Sequence, residues 1–292
     1  MVSRITAIIM TIVSIISSFG AQLTTESEVL YNVEYGKYTR QVVDVAFPAE
    51  YEKEQGVILF IHGGGWISGN KSGFMSKAIT VGKKTGCIAA SMNYRYASQK
   101  VDCRRILDDI DLALAKIKSL AETRGIKVTK AMLVGYSAGA HLSLLYAYSR
   151  KDTAPVKPAA VVSYSGPADL TSEDFIENNA LSDGDFMCSL MSKLTGDSIT
   201  LSNYKRKKAK LLSVSPINYV SSDCVPTIVV QGAKDRIVYA SDTRDFVEKL
   251  EEKGVTYKYF ELPHSGHKLK DDPELFSQSN DAFAQYIKKY LK

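Results

Sequence analysis

The chain reads AMLVGYSAG at residues 131–139, an apolar run that leads directly into a G-x-S-x-G pentapeptide. This pattern is typical of a serine held on a sharp turn between a strand and a helix. Glycine is needed at 135 and 139 because a Cβ there would collide with the neighbouring strand or helix. The same five residues also fit a structural turn with an idle serine, so their meaning depends on the rest of the chain.

Strand-like and helix-like patterns alternate on both sides of this pentapeptide. Such alternation predicts a mostly parallel central sheet with helices on both faces, and reactive groups at the carboxyl ends of the strands. The predicted strands are 42–47, 56–61, 87–92, 131–134, 159–164, 227–231 and 256–262, and the predicted helices are 72–84, 103–124, 138–148, 242–253 and 274–291.

The segment 166–214 breaks the alternation because it contains no strand-like run. We interpret it as a small helical insertion that caps the site. Its apolar residues Phe186, Met187, Leu190 and Met191 either line an acyl pocket, where Met adapts to varied shapes, or simply pack on the domain. The basic run at 205–210 is interpreted as a solvated helix face.

A nucleophilic serine needs a base, and the base needs an orienting acid. His267 follows the last predicted strand, and Gly266 before it lets the backbone turn the ring inward. His264, in the same loop, is the rival base. The loop after the preceding strand offers Asp235, which is either the acid or a turn residue paired with Arg236. We predict the triad Ser137, His267 and Asp235, whose chain order is that of the α/β-hydrolases.

Three consecutive glycines follow the predicted strand that ends at residue 61, in His62-Gly63-Gly64-Gly65-Trp66. Glycines at a strand end expose backbone N–H groups that can hold the oxyanion of a tetrahedral intermediate. We therefore predict an oxyanion hole made by the N–H groups of Gly64, Gly65 and Ala138, braced by His62. A plain glycine turn is the alternative.

Composition and charge exclude several classes. The chain has 292 residues and a net charge of +5, and no basic run alternates with aromatics as single-strand nucleic-acid binders require. The cysteines form no C-x-x-C pair and lie at no metal-ligand spacing from a histidine. We expect no metal, no cofactor and no nucleic-acid partner. The four cysteines, Cys87, Cys103, Cys188 and Cys224, allow three disulfide connectivities, among which the sequence does not choose.

The N-terminus has a positive start at Arg4, a short apolar stretch over 5–16 and small residues after it. This pattern predicts a secretory signal peptide over residues 1–20, cut after Gly20. An uncleaved membrane anchor is the alternative, although the run is short for a span and contains several Ser and Thr. We expect a mature catalytic domain of residues 21–292, secreted or periplasmic, without stable membrane insertion after cleavage.

Six motifs together resemble the α/β-hydrolase esterases: HGGGW at 62–66, NYRY at 93–96, GYSAG at 135–139, SP at 215–216, QGAKD at 231–235 and SGH at 265–267. The similarity covers residues 38–292 and is closest to the BD-FAE and hormone-sensitive-lipase-like branch, which includes acetyl and feruloyl esterases. Tyr136 departs from the Asp that the hormone-sensitive-lipase group often has before its nucleophile, which favours the BD-FAE side. The resemblance implies an α/β-hydrolase fold and the roles assigned above.

We therefore expect a secreted serine carboxylesterase whose substrate is a small-molecule or carbohydrate-linked ester. Export and resemblance point by analogy to acetyl or hydroxycinnamoyl esters on plant polysaccharides. An amidase with formamidase-like or peptidase-like activity would use the same triad. A non-catalytic receptor on the same fold is a further alternative, although members of that kind lose the histidine.

Overall fold

The computed structural model describes residues 27–179 and 183–292, built around an eight-stranded sheet in the order β1-β2-β4-β3-β5-β6-β7-β8. The edge pairs β1–β2 and β2–β4 are antiparallel, and all other neighbours are parallel. The prediction of a mostly parallel sheet is confirmed. The strands are β1 Glu28–Glu34, β2 Val42–Phe47, β3 Glu54–Ile61, β4 Ile88–Met92, β5 Lys127–Tyr136, β6 Lys157–Tyr164, β7 Thr227–Gly232 and β8 Tyr257–Leu262.

Helices follow or separate the strands, as the alternation predicts. They are α1 Ser72–Thr85, α2 Cys103–Glu122, α3 Ala138–Ser149, α4 Glu173–Ile176, α5 Gly184–Thr195, α6 Lys208–Leu212, α7 Ala240–Glu252 and α8 Pro273–Tyr290, with a 3₁₀ turn at Pro216–Tyr219.

The central strands are buried on both faces because helices cover both sides of the sheet. Alternate residues of β3 enter two separate cores. Leu59 belongs to the core that contains residues of α2, α3 and α7, whereas Phe60 belongs to the core that contains residues of α1 and α8. A strand that is buried on both faces has apolar residues at successive positions. For this reason β3 could be predicted from the sequence. The arrangement leaves the carboxyl ends of β3, β5, β7 and β8 at one edge of the sheet.

Strand β1 was not predicted. Its seven residues are exposed or half-buried, so no apolar run marks them. The pairing with β2 also shifts register between Leu30 and Val33, where Asn32 has a φ of 53°. An exposed edge strand with a bulge loses the strict alternation on which sequence patterns depend.

The described residues of segment 166–214 contain three helices, α4, α5 and α6. In α5, Met187, Leu190 and Met191 are buried in the same core as α2 and α3, whereas Phe186 remains 41% exposed. Most of the apolar face that sequence analysis singled out therefore packs on the domain. The run at 205–210 lies mainly on the surface, with Lys207 paired to Asp197 at 2.6 Å.

The four cysteines, Cys87, Cys103, Cys188 and Cys224, are all buried and unpaired. Among the helices of the described ranges, none has both the length and the apolar composition needed to cross a bilayer. The signal peptide predicted over residues 1–20, with its alternative of a membrane anchor, lies outside the described residues.

Candidate active site

The chain reverses sharply between the end of β5 and the start of α3, and Ser137 is at the turn. Its backbone has a φ of 54° and a ψ of −125°, an unusual conformation for a residue with a side chain. Its N–H donates to the carbonyl of Tyr164 at 2.8 Å. A Cβ at Gly135 would lie 2.2 Å from the Gly139 oxygen, and one at Gly139 would lie 2.1 Å from the Ile61 oxygen. Only glycine fits at either position.

The structure brings together the three residues predicted as a triad. Ser137 Oγ lies 3.0 Å from His267 Nε2, and His267 Nδ1 lies 2.8 Å from Asp235 Oδ2. The carboxylate is fully buried and the imidazole side chain is only 15% exposed. Because the carboxylate accepts, His267 Nδ1 carries the proton and Nε2 is free to accept from the Ser137 hydroxyl. This is the arrangement that general-base activation of a serine requires.

The orientation of Asp235 is fixed by the turn that follows β7. Its Oδ1 accepts from the N–H groups of Ile237 and Val238 at 2.8 and 3.0 Å, and its Oδ2 also accepts from Gln231 Nε2 at 3.0 Å. No ion pair joins Asp235 to Arg236 in the described parts of the chain. These donors hold the carboxylate in place and direct one oxygen at the imidazole.

The rival base, His264, belongs to a different pair. Its Nδ1 lies 2.7 Å from Asp272 Oδ1, and its side chain is 68% exposed. The His267 carbonyl, by contrast, accepts from the Tyr136 hydroxyl and from Ser165 Oγ, both at 3.0 Å. The loop is thus anchored so that His267, not His264, faces Ser137.

The glycine loop after β3 lies against the serine. A Cβ at Gly63 would come within 2.8 Å of the Tyr136 oxygen and 3.1 Å of Ser137 Cβ. Gly64 and Gly65 have φ values of 113° and 57°, so both need the left-handed region. Among the described residues, no protein acceptor takes the N–H groups of Gly64, Gly65 or Ala138. Those groups are therefore available to a ligand.

His62 connects the glycine loop to its surroundings. Its Nδ1 donates to the Gly63 carbonyl at 2.7 Å, and its ring stacks on Tyr94 with centroids 4.4 Å apart. Arg40 Nη2 lies 3.3 Å from its Nε2. Burial lowers the pKa of His62 to about 4, and the positive charge of Arg40 acts in the same direction. A neutral ring braces the loop.

A second buried histidine, His141, has a structural role that the sequence analysis missed. Its Nδ1 accepts from Trp66 Nε1 at 3.1 Å, and its Nε2 donates to the Val214 carbonyl at 2.7 Å. Burial lowers its pKa to about 4. The positions of the two residues in the sequence could have indicated this contact. Trp66 directly follows the three glycines, and His141 lies one helical turn after Ser137.

The family model described as BD-FAE matches residues 43–250. The chain belongs to the BD-FAE family. Within the described ranges of this BD-FAE member, no group of three or more His, Cys, Asp or Glu residues is arranged to hold a metal ion.

Two curated relatives of this BD-FAE protein represent two reaction classes. It is 27% identical over 220 residues to the probable carboxylic ester hydrolase LipM of Mycobacterium tuberculosis, covering 72% of this chain and 48% of that protein. It is 24% identical over 160 residues to the kynurenine formamidase of Danio rerio, covering 52% of this chain and 51% of that protein. The chain thus spans about half the length of these relatives.

A solved structure described as a truncated form of a carbohydrate esterase from gut microbiota superposes with a TM-score of 0.71 at 18% identity. The match covers 92% of this chain and 99% of that one. At this identity the likeness concerns the fold, and it confirms the α/β-hydrolase architecture of this BD-FAE member.

Proposed function

We propose that this protein is a serine carboxylesterase that uses Ser137, His267 and Asp235 as its triad. The observation that carries the proposal is the continuous hydrogen-bond chain from Ser137 Oγ through the His267 ring to the buried Asp235 carboxylate. A histidine in contact with only one of these partners would lack either the bond to the serine hydroxyl or the bond that orients its ring. The sequence similarity to named ester hydrolases supports the same reaction class.

In the proposed reaction, Ser137 Oγ attacks the ester carbonyl carbon while His267 Nε2 takes the hydroxyl proton. The carbonyl oxygen becomes an oxyanion, and the N–H groups of Gly64, Gly65 and Ala138 stabilise it. The C–O bond to the alcohol then breaks, and His267 returns the proton to that alcohol. Water repeats the sequence on the acyl-serine and releases the acid. Asp235 keeps His267 in the required tautomer throughout.

The finer proposal concerns the substrate and the surroundings of the site. We propose acetyl or feruloyl groups on polysaccharide as the acyl esters, which the carbohydrate esterase among the structural relatives supports. We also propose that segment 166–214 forms a cap that bounds the acyl pocket. Its contacts support this position: Tyr239, four residues after Asp235, donates its hydroxyl to the Asn178 carbonyl at 2.7 Å.

Ser137→Ala tests the proposed activity. Wild-type protein is expected to release p-nitrophenol from p-nitrophenyl acetate and to be labelled by a fluorophosphonate at Ser137, and the variant is expected to do neither. Retained turnover in the variant would refute the assignment of the nucleophile. Absence of labelling in wild type would favour a non-catalytic binding protein instead.

An amidase is the second candidate, because the chain is also similar to a kynurenine formamidase. Matched ester and amide substrates with the same acyl group and comparable leaving groups separate the two. The ester is expected to have the higher kcat/KM. The ratio of ester to amide kcat/KM is expected to exceed the ratio of their uncatalysed hydrolysis rates. A preference for the amide after that correction would reverse the order of the candidates.

We propose further that the protein is exported and that residues 1–20 are removed as a signal peptide. The composition of that segment supports this. Expression of the full chain in a secreting bacterium, followed by N-terminal sequencing, tests it. A mature N-terminus at Ala21 is expected, and an intact N-terminus on membrane-bound protein would indicate an anchor.

A further inference from the structure

An open cleft of about 530 Å³ lies beside the glycine loop and is not used by the proposed triad. Its lining contains four cationic side chains and no carboxylate. The cations are Arg40, Arg95, Lys100 and Arg105.

Among the described residues, a carboxylate neutralises one of these four cations. Arg95 Nη2 pairs with the buried Asp109 carboxylate at 2.6 Å. Arg40 donates to the carbonyls of Tyr94 and Gly69, and Arg105 Nη1 donates to the Lys100 carbonyl. No carboxylate of the described chain lies within ion-pair distance of Arg40, Lys100 or Arg105. The cleft therefore keeps an excess of positive charge and has N–H groups left to donate.

Aromatic rings give the same cleft a flat apolar surface. The Arg40 guanidinium lies 3.6 Å from the centre of the Tyr96 ring, and the Arg95 guanidinium lies 5.0 Å from that of Tyr38. A guanidinium stacked on an aromatic ring is held in a fixed plane, so its remaining N–H groups have a defined direction. Fixed, planar donors suit bidentate recognition of a carboxylate.

The wall of the cleft continues into the loop that carries the proposed oxyanion donors. Arg40 Nη2 and the Tyr96 hydroxyl both donate to the Gly69 carbonyl, at 3.2 and 2.6 Å. Gly69 in turn lies against Gly63, since a Cβ on it would be 2.3 Å from the Gly63 oxygen. Gly63 lies against Ser137 Cβ, as described above. The glycine loop is therefore in contact with both the cleft wall and Ser137.

We propose that this cleft is a subsite for a carboxylate on the alcohol part of the substrate, namely an acidic sugar of the uronic acid class that carries the ester. Arg40 and Arg105 bind the carboxylate, and the ring of Tyr96 supports the sugar. The proposal rests on the proposed esterase function, because it assigns the part of the substrate that leaves.

The test compares kcat/KM for acetylated glucuronic acid with that for acetylated glucose, two substrates that differ at the sugar carboxylate. Wild type is expected to prefer the acid, and Arg105→Gln to reduce this preference by roughly threefold to tenfold, as for a hydrogen bond to a charged group near the surface. The matched control is Arg104→Gln. Arg104 precedes Arg105 in α2, is also exposed and does not line the cleft.

An equal loss of this preference in both arginine variants would mean that the overall charge attracts the acid, and would overturn the proposal. A wild-type protein that does not prefer the acidic substrate would also overturn it. A direct titration keeps the subsite separate from the reaction. In Ser137→Ala protein, glucuronate is expected to bind more weakly after Arg105→Gln but not after Arg104→Gln. If wild type hydrolyses no ester and this titration still shows that difference, the esterase proposal fails while the anion site stands.

Discussion

Trp66 and His141 join the glycine loop to the helix that follows the proposed nucleophile. The indole Nε1–H of Trp66 donates to His141 Nδ1 at 3.1 Å, and the two rings meet edge to face with centroids 5.2 Å apart. The other imidazole nitrogen donates to the Val214 carbonyl, at the end of segment 166–214. One buried, neutral histidine thus connects three segments that border the site.

His141→Phe is expected to lower the free energy of unfolding by about 2–4 kcal/mol, because the Trp66 N–H and the Val214 carbonyl both lose a buried partner. It is also expected to lower kcat more than it raises KM, since two of the proposed oxyanion donors, Gly64 and Gly65, lie in the loop that Trp66 holds. Urea titration followed by Trp66 fluorescence gives the stability, and Trp66 is the only tryptophan in the chain. The control, Trp66→Phe, removes only one of the two bonds and is expected to cost less when followed by circular dichroism. A His141→Phe protein within about 0.5 kcal/mol of wild type would contradict this view.

The stability is expected to fall in acid because His62 and His141 are buried. Burial lowers the pKa of each to about 4, below the value near 6.5 of a histidine in an unfolded chain. Between these values the unfolded chain binds more protons, so stability is fully present above about pH 6.5 and is lost as pH falls towards 4.

The measurement is the free energy of unfolding at pH 7.5 and 4.5 for wild type and His141→Phe. Wild type is expected to lose about 2 kcal/mol more than the variant over this interval, because the variant lacks one of the two titrating rings. An identical loss in both proteins would show that His141 does not titrate with unfolding.

Asp235→Asn is expected to lower kcat by about 10³–10⁴-fold, because an amide in place of the carboxylate no longer fixes the His267 tautomer. Asp272→Asn is the matched control. It makes the same change in the carboxylate that contacts His264, the rival base, and is expected to keep most of the activity. Kinetics with p-nitrophenyl acetate at pH 8 distinguish the two. Greater loss in Asp272→Asn would indicate that His264 is the base.

Gly139→Ala is expected to destabilise the protein by about 3 kcal/mol and to abolish turnover, because the new Cβ would lie 2.1 Å from a main-chain oxygen of β3. Gly73→Ala is the comparison. At Gly73, in the first turn of α1, a Cβ meets nothing within 4 Å, so the exchange is expected to be neutral or stabilising by about 0.5 kcal/mol. Thermal denaturation of both variants tests this. A Gly139→Ala protein as stable as Gly73→Ala would show that a backbone shift relieves the crowding at Gly139.

The sequence predicts the inner strands, and it places the residues proposed as the triad just after strands, because both depend on local patterns. β3 and β7 are continuous apolar runs, and each ends at a motif whose residue types limit its chemistry. The order of strands in the sheet then brings Ser137, Asp235 and His267 to the same edge. No long-range information beyond the alternation of strands and helices was needed.

Other features depend on contacts that no local pattern records. The antiparallel edge formed by β1 was missed because its residues are not buried. The bond between Trp66 and His141 joins residues 75 positions apart, and the Arg40 guanidinium meets Tyr96 across the fold. Polar residues of this kind look like ordinary surface or core residues until the chain is folded around them.

The four unpaired cysteines can report how often different parts of the protein open. Burial raises the pKa of Cys87 and Cys188, and raises that of Cys103 to about 12, so few of these thiols are in the reactive thiolate form at neutral pH. All four thiols are buried, so a thiol reagent modifies each one only when its own segment opens. Since Cys87 precedes β4, Cys103 begins α2, Cys188 lies in α5 and Cys224 precedes β7, the four alkylation rates report separately how often each part of the molecule opens.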